Sequence, residues 1–323
     1  MSEKFKGRLW PAAYALFFFL AAGTILWFVQ DMPSYFFLMG AIGLFTALGL
    51  VLHRSLGRSR KPAAHHVALL AVGSGLFFGA GVFGKQNLQL EGLFFNLLLG
   101  LPGAGLVHYL VAKVVGPVLV GRLWCGWGCW TFAVMNLLPY KKSKGRARTA
   151  PYSTAVRTAF FLLSLGLVAV LVWKLGYNPG EDWETTQAHL WFLGGNLIYF
   201  SAGAVLAFIY RDNRAFCKVL CPVTAVLKVT GRLSLLKVGG TEVECNSCGA
   251  CVKRCPMNID IPAYITRGRR VLSSECVLCR QCVATCPYGS VDLTLGLDAG
   301  WKDLFPAAGG GLPGSESLTG RSR

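Results

Sequence analysis

A chain of 323 residues with 54% hydrophobic and only 15% charged residues is too apolar for an ordinary soluble domain. The net charge of +17 would suit a nucleic-acid binder, but the basic residues recur in alternate connecting segments and form no single stripe, so no nucleic-acid partner is expected. Twelve cysteines, eight of them in a repeated pattern, argue against a disulfide-bonded secreted module and for thiolate chemistry in a reducing compartment.

A membrane-crossing helix needs ~20 largely apolar residues. Taken in chain order, spans are predicted at residues 10–29, 35–52, 67–83, 92–112, 155–173 and 190–210. The third is short and rich in glycine, and the fourth could continue beyond Pro117, which bends a helix without always ending it. The first follows Lys4, Lys6 and Arg8 and continues past Ala21-Ala22-Gly23 with no convincing cleavage site, so an uncleaved anchor is expected. Basic residues gather on one side (Arg54, Arg58, Arg60 and Lys61; Lys141 to Arg148; Arg211, Arg214 and Lys218). Asp31, Glu91, Glu181, Asp182 and Glu184 fall on the other, with Lys85 and Lys174. That asymmetry predicts an inner-membrane protein with both termini in the cytoplasm. His53, His65 and His66 would lie in an inside loop, solvated or facing headgroups. Trp124, Trp127 and Trp130 read by default as interfacial anchors.

Two Cys-x3-Cys elements follow predicted spans: Cys125-Gly-Trp-Gly-Cys129 and Cys217-Lys-Val-Leu-Cys221-Pro222. Residues four apart share a helix face, so each pair could offer two sulfurs to one centre. Four thiolates at one membrane depth would suit a third [4Fe–4S] cluster, a tetrahedral metal site or Cu(I). They could also be four thiols with no ligand at all.

The strongest pattern comes last. Cys245-x2-Cys248-x2-Cys251-x3-Cys255-Pro256 is repeated as Cys276-x2-Cys279-x2-Cys282-x3-Cys286-Pro287. This is the two-cluster bacterial ferredoxin spacing, in which the fourth cysteine of each run ligates the other cluster. It assigns Cys245, Cys248, Cys251 and Cys286 to one [4Fe–4S] cluster, and Cys276, Cys279, Cys282 and Cys255 to the second. Zinc sites or a disulfide knot would explain neither the repeat nor the prolines. The predicted fold class is therefore an all-α membrane bundle of about six transmembrane helices with a small α+β ferredoxin domain. Residues 1–238 would form the membrane domain, 239–296 the ferredoxin domain and 297–323, rich in Gly, Pro and Ser, a flexible tail. Lys253, Arg254, Arg267, Arg269, Arg270 and Arg280 would make the ferredoxin face basic, suited to an acidic partner.

The two Cys-x3-Cys elements and the double-cluster run, over about residues 67–290, resemble the NapH/NosR/CcoG family of membrane polyferredoxins. In that family the elements usually read Cys-x3-Cys-Pro; Cys217–Pro222 matches, whereas Trp130 replaces the first proline. Short outer loops leave no room for a NosR-type flavin domain, and the chain ends soon after its second cluster, so the NapH-like architecture is expected. The resemblance implies a quinol-linked electron-transfer protein working with the quinone pool and another redox protein. His108 is then a candidate quinol ligand, since a polar group inside a span is costly. Copper reduction or oxidase assembly at the Cys-x3-Cys pairs, and a membrane redox sensor, are the rival functions. No catalytic residue is assigned, and direction of electron flow is left open.

Overall fold

The computed structural model describes residues 3–31, 33–57, 60–100, 104–140, 152–177 and 187–298. Arg58, the basic run 141–148, the acidic run 181–184, the tail beyond Asp298 and the side chains of Lys4, Lys6 and Arg8 lie outside the described residues.

Helix α1 (Glu3–Gln30) turns back through a short connection into α2 (Ser34–Ser55), and α3 (Lys61–Ser74) follows, widening into a π-helical stretch at Gly75–Phe83. Large apolar side chains such as Phe17, Phe28, Phe37 and Phe83 are exposed on this unit. A lipid surround removes the cost of that exposure. Because α3 starts at Lys61, His65 and His66 are helical and do not lie in a solvated loop. His53 and His65 are buried, and His65 Nε2 pairs with the carbonyl of Gly126 at 2.8 Å.

The span predicted at 92–112 is broken. Helix α4 (Leu90–Leu99) ends at Gly100, whose left-handed φ of 68° allows its N–H to bond back to the Asn96 carbonyl. The position needs a residue without Cβ strain, and Pro102 follows it in the sequence, so the helix stops. The chain resumes as α5 (Ala104–Tyr109), passes through π-helical Leu110–Val115 and ends as α6 (Gly116–Val120). Glu91, expected in an outer loop, sits in the first turn of α4 and is buried. Its neighbours are apolar, so hydropathy alone could not tell this helix start from a loop.

Cys125 lies in α7 (Leu123–Trp127) and Cys129 is the extended residue just before α8 (Trp130–Met135), so the first pair does not share one helix face; α9 (Ser153–Trp173) and α10 (Gln187–Tyr210) complete the long helices. Helix α11 (Ala215–Val219) carries Cys217 and leads to α12 (Val223–Thr230). Strand β1 (Leu236–Gly240) then opens a small region with short helices α13 (Ala250–Arg254), α14 (Pro262–Ile265) and α15 (Gln281–Thr285), closed by β2 (Val291–Leu295). The strands pair antiparallel, with Leu236 opposite Leu295 and Gly240 opposite Val291.

Among the described residues, four helices are long and apolar enough to cross a membrane: 35–55, 61–83, 153–173 and 189–210. The apolar part of α1, Ala12–Phe28, is shorter, and the broken α4–α6 segment replaces the fourth expected span. The architecture is a helical membrane protein with a small ferredoxin-like C-terminal region, as its composition and cysteine repeat required. One core runs through both parts: Leu69, Phe132, Tyr199 and Phe216 from the helical body pack in the same cluster as Ile259, Val277 and Leu278.

Candidate metal centres

Each half of the cysteine repeat curls in the same way. Ser247 and Leu278, Gly249 and Arg280, and Asn258 and Gly289 occupy equivalent positions 31 residues apart, and all six have positive φ. Such turns aim successive backbone N–H groups inward, toward the sulfurs. Leu278 and Arg280 hold a conformation that ordinarily disfavours a Cβ, so the loop is shaped by what it encloses. The amide of Ile259 donates to Cys255 Sγ at 3.4 Å.

Two cavities separate the eight cysteines into crossed sets. Cys245, Cys248, Cys251 and Cys286 line one, together with Pro262 and Tyr288. Cys255, Cys276, Cys279 and Cys282 line the other, walled by Val238, Met257, Ile261 and Val271. The first is the outer one, with Cys248 exposed. The second is enclosed, with Cys255, Cys279 and Cys282 buried.

The two Cys-x3-Cys pairs converge on each other. Cys217 and Cys221 lie within electrostatic range of both Cys125 and Cys129. Burial, and then the neighbouring sulfurs, push the Cys221 thiol up to about 11 and the Cys217 thiol higher still. Thiols made this reluctant to ionise become thiolates when they bind a metal centre. Among the described residues no three His, Cys, Asp or Glu side chains stand together at one-ion spacing.

Buried cations surround these sulfurs. Lys113, Arg122, Arg157, Arg214 and Lys218 are each less than one-tenth exposed. Arg122 faces Cys125 and Cys221, Arg214 faces Cys217, Cys279 and Cys129, and Lys218 faces Cys255 and Cys217. Lys113 acts on Cys129, and Arg157 on Cys221. Two carboxylates answer them. Glu275 takes Arg157 at 2.7 Å, Arg122 at 3.1 Å and Lys228 at 3.3 Å, and Asp212 takes Lys218 at 2.7 Å. Burial alone would raise the Glu275 carboxyl, but Arg122, Arg157 and Lys228 outweigh it and hold the group at about 2. Isolated buried charge is costly, and the surplus of cations here calls for anionic centres between them. Iron–sulfur clusters held by four thiolates meet that demand; the donor set, the crossed cavities and the charge all fit.

The helical body presses directly on the enclosed cavity. Gly126 in α7 lies so close to the second cysteine loop that a methyl there would meet the Val277 carbonyl at 2.2 Å. Trp127 Nε1 donates to the Leu278 carbonyl at 3.1 Å. Trp130 is buried and donates to Asn196 Oδ1 at 2.7 Å. Trp127 and Trp130 are therefore tied into the protein interior and do not serve as anchors at a lipid surface. His108 stands edge-on to Trp124 at 5.2 Å and beside Trp130 at 6.2 Å, next to the first pair. Sequence reasoning missed Glu275, Asp212 and Arg157, whose partners are remote in the chain. Only their placement beside cysteine motifs hinted at a role.

Comparison with known proteins agrees with this layout. A 4Fe–4S dicluster domain model matches residues 244–291, and a 4Fe–4S binding domain model matches 106–146 and 195–239, the segments that carry the Cys-x3-Cys pairs. The putative electron transport protein YccM of Escherichia coli is 36% identical over 245 residues, 71% of this chain and 66% of that protein. The methylamine utilization ferredoxin-type protein MauN of Paracoccus denitrificans is 28% identical over 205 residues, 61% of this chain and 70% of that protein. The chain belongs to the NapH-like membrane polyferredoxin family. An uncharacterized protein of Methanocaldococcus jannaschii is 26% identical over 199 residues, covering 59% of this polyferredoxin and 73% of its own length. No solved structure matches the chain. The polyferredoxin is thus a membrane electron-transport protein with 4Fe–4S binding domains.

Proposed function

We propose that this polyferredoxin passes single electrons between membrane quinol and a redox partner, with [4Fe–4S] clusters held at three thiolate sites. Cys125, Cys129, Cys217 and Cys221 would hold the membrane-side cluster. Cys255, Cys276, Cys279 and Cys282 would hold the enclosed one, and Cys245, Cys248, Cys251 and Cys286 the outer one. The clusters supply reversible one-electron chemistry. The protein supplies their ligands, cations that balance their charge and N–H groups that set their potentials. In this reading the membrane body ends before β1, and the ferredoxin unit runs from β1 at Leu236 through Asp298, which pairs with Lys237 and Arg270, in place of the 239–296 expected from the sequence.

The observation that carries the proposal is the contact between α7 and the second cysteine loop, which brings the quartet against the enclosed site. Gly126 abuts the Val277 carbonyl, and Arg214 is shared electrostatically by Cys129, Cys217 and Cys279. A continuous protein medium between redox centres is what tunnelling requires, and a solvent gap would break it. The outer site is the natural exit, since Cys248 is exposed and Lys253, Arg254, Arg267 and Arg269 lie exposed on the same unit. A partner with an acidic face would be steered there. The distribution of Lys and Arg supports an inner-membrane protein with its ferredoxin unit and both termini in the cytoplasm.

Iron and acid-labile sulfide per chain in anaerobically purified protein test the inventory. About twelve of each supports three clusters, whereas about eight leaves the quartet free for copper or thiol chemistry and removes the membrane-side site. Reduction of the clusters by a water-soluble quinol, followed optically, tests the donor.

A further inference from the structure

A cleft of about 340 Å³ opens between α9 and α10, away from every cysteine cavity. Leu163, Leu167, Leu190 and Ile198 form its apolar mouth, and all four are exposed on helices long and apolar enough to cross a membrane, which would open the cleft sideways to lipid. Its floor is polar. Glu91 and Tyr199 line it, both buried, and both Glu91 Oε2 and the Tyr199 hydroxyl lack any hydrogen-bond partner. Ser164 Oγ donates to the other carboxylate oxygen, Oε1, at 3.3 Å. Leaving two such atoms unpaired at the bottom of an apolar pocket is expensive unless a ligand satisfies them.

The floor is also adjacent to the redox machinery. Tyr199 packs on Phe216 with ring centroids 5.3 Å apart, and Phe216 immediately precedes Cys217. Tyr199 lies within electrostatic range of both Glu91 and Cys221. A lipid-soluble ligand with polar oxygens at one end and a chain at the other would reach both unpaired atoms while its tail stayed among the leucines.

We infer that this cleft is the quinol site, with the ring oxygens of the head group bonded to Glu91 and Tyr199. The inference rests on the quinol reading above and gives it a location. Oxidation of a quinol to the quinone releases two electrons and two protons. Glu91 Oε2 accepts one proton and bulk water accepts the other, and Glu91 returns its own proton to bulk water before the next quinol binds. The electrons would leave one at a time to an oxidised cluster held by Cys125, Cys129, Cys217 and Cys221, which would hand the first on before taking the second. His108 does not line the cleft.

The test uses full-length, cluster-loaded protein in detergent, with an azidoquinone for photolabelling and menadiol as soluble donor. A side chain at Gly194 would enter open space in the cleft, so Gly194→Leu blocks it without a clash. Expected results are labelling of the α9 and α10 peptides, loss of that labelling in Gly194→Leu, and loss of menadiol-driven reduction with dithionite reduction and iron content unchanged. Glu91→Gln keeps the labelling but slows menadiol-driven reduction at least about tenfold. Labelling around His108, or unchanged menadiol rates in Gly194→Leu, overturns the site while leaving the quinol reading intact. Failure of menadiol to reduce the wild-type clusters, with no labelling, overturns both.

Discussion

The enclosed and outer cysteine cavities have the same sequence pattern and the same backbone turns, yet their surroundings differ. The outer cavity has Cys248 at the surface, whereas the enclosed one has no exposed cysteine, is walled by Met257, Ile261 and Val271 and is pressed by α7. The enclosed one also shares buried cations with the Cys-x3-Cys quartet. Identical ligand spacing therefore says what each site binds, and the neighbours decide how accessible it is and at what potential it works. A site at the surface can meet a partner, and a site under the helical body lies between the outer site and the membrane-side quartet.

The sharpest break in this comparison is a ligand change on the inner side. Cys217→Ser is expected to lower iron by about four per chain while the optical and EPR signals of the two ferredoxin sites persist; loss of all iron would mean the quartet is a structural prerequisite for the rest. Next comes the junction. Gly126→Val forces a side chain into the Val277 carbonyl and is expected to cost about 1–3 kcal/mol and to slow electron transfer into the outer site. Thermal unfolding and quinol-driven reduction read the two effects separately.

Glu275 offers an electrostatic version of the same test. Glu275→Gln leaves Arg122 and Arg157 buried without their carboxylate and is expected to destabilise the fold by about 3 kcal/mol, measured by denaturation at neutral pH. Arg214→Met removes a cation shared by three inner cysteines. It is expected to lower the potentials of the quartet and the enclosed site and to leave the outer one unchanged in an EPR redox titration. An equal shift at all sites would erase the distinction drawn here. The smallest effect belongs to the exposed rim. Replacing Arg267 and Arg269 by alanine is expected to weaken the salt dependence of electron delivery to an acidic partner, with cluster content unaffected.

Much of the site was legible in the chain because cluster ligation depends on short-range spacing. The 31-residue offset that relates Cys245 to Cys276 also relates Ser247 to Leu278 and Asn258 to Gly289 in backbone conformation. The four other cysteines could be paired by spacing, but their meeting depended on where α7 and α11 end up in space. Glu91 was misread because a charged residue before an apolar run looks like a loop boundary. Its burial depends on α9 and α10 closing over it. The three histidines look like loop residues for a related reason, since α2 runs on through His53 to Ser55 and α3 already begins at Lys61, ahead of its apolar stretch.

By itself the sequence determined the membrane class, the ferredoxin repeat and the kind of centre its thiolates hold. Each of these follows from local pattern: apolar length sets a span, and Cys spacing sets the curl of a ligand loop. Only the tertiary structure decided which sites are sealed, which cations face which sulfurs, that the fourth span is broken, and that Glu91 and Tyr199 share a cleft. Those features arise between residues far apart in the chain, where burial and charge are set by which elements happen to pack together.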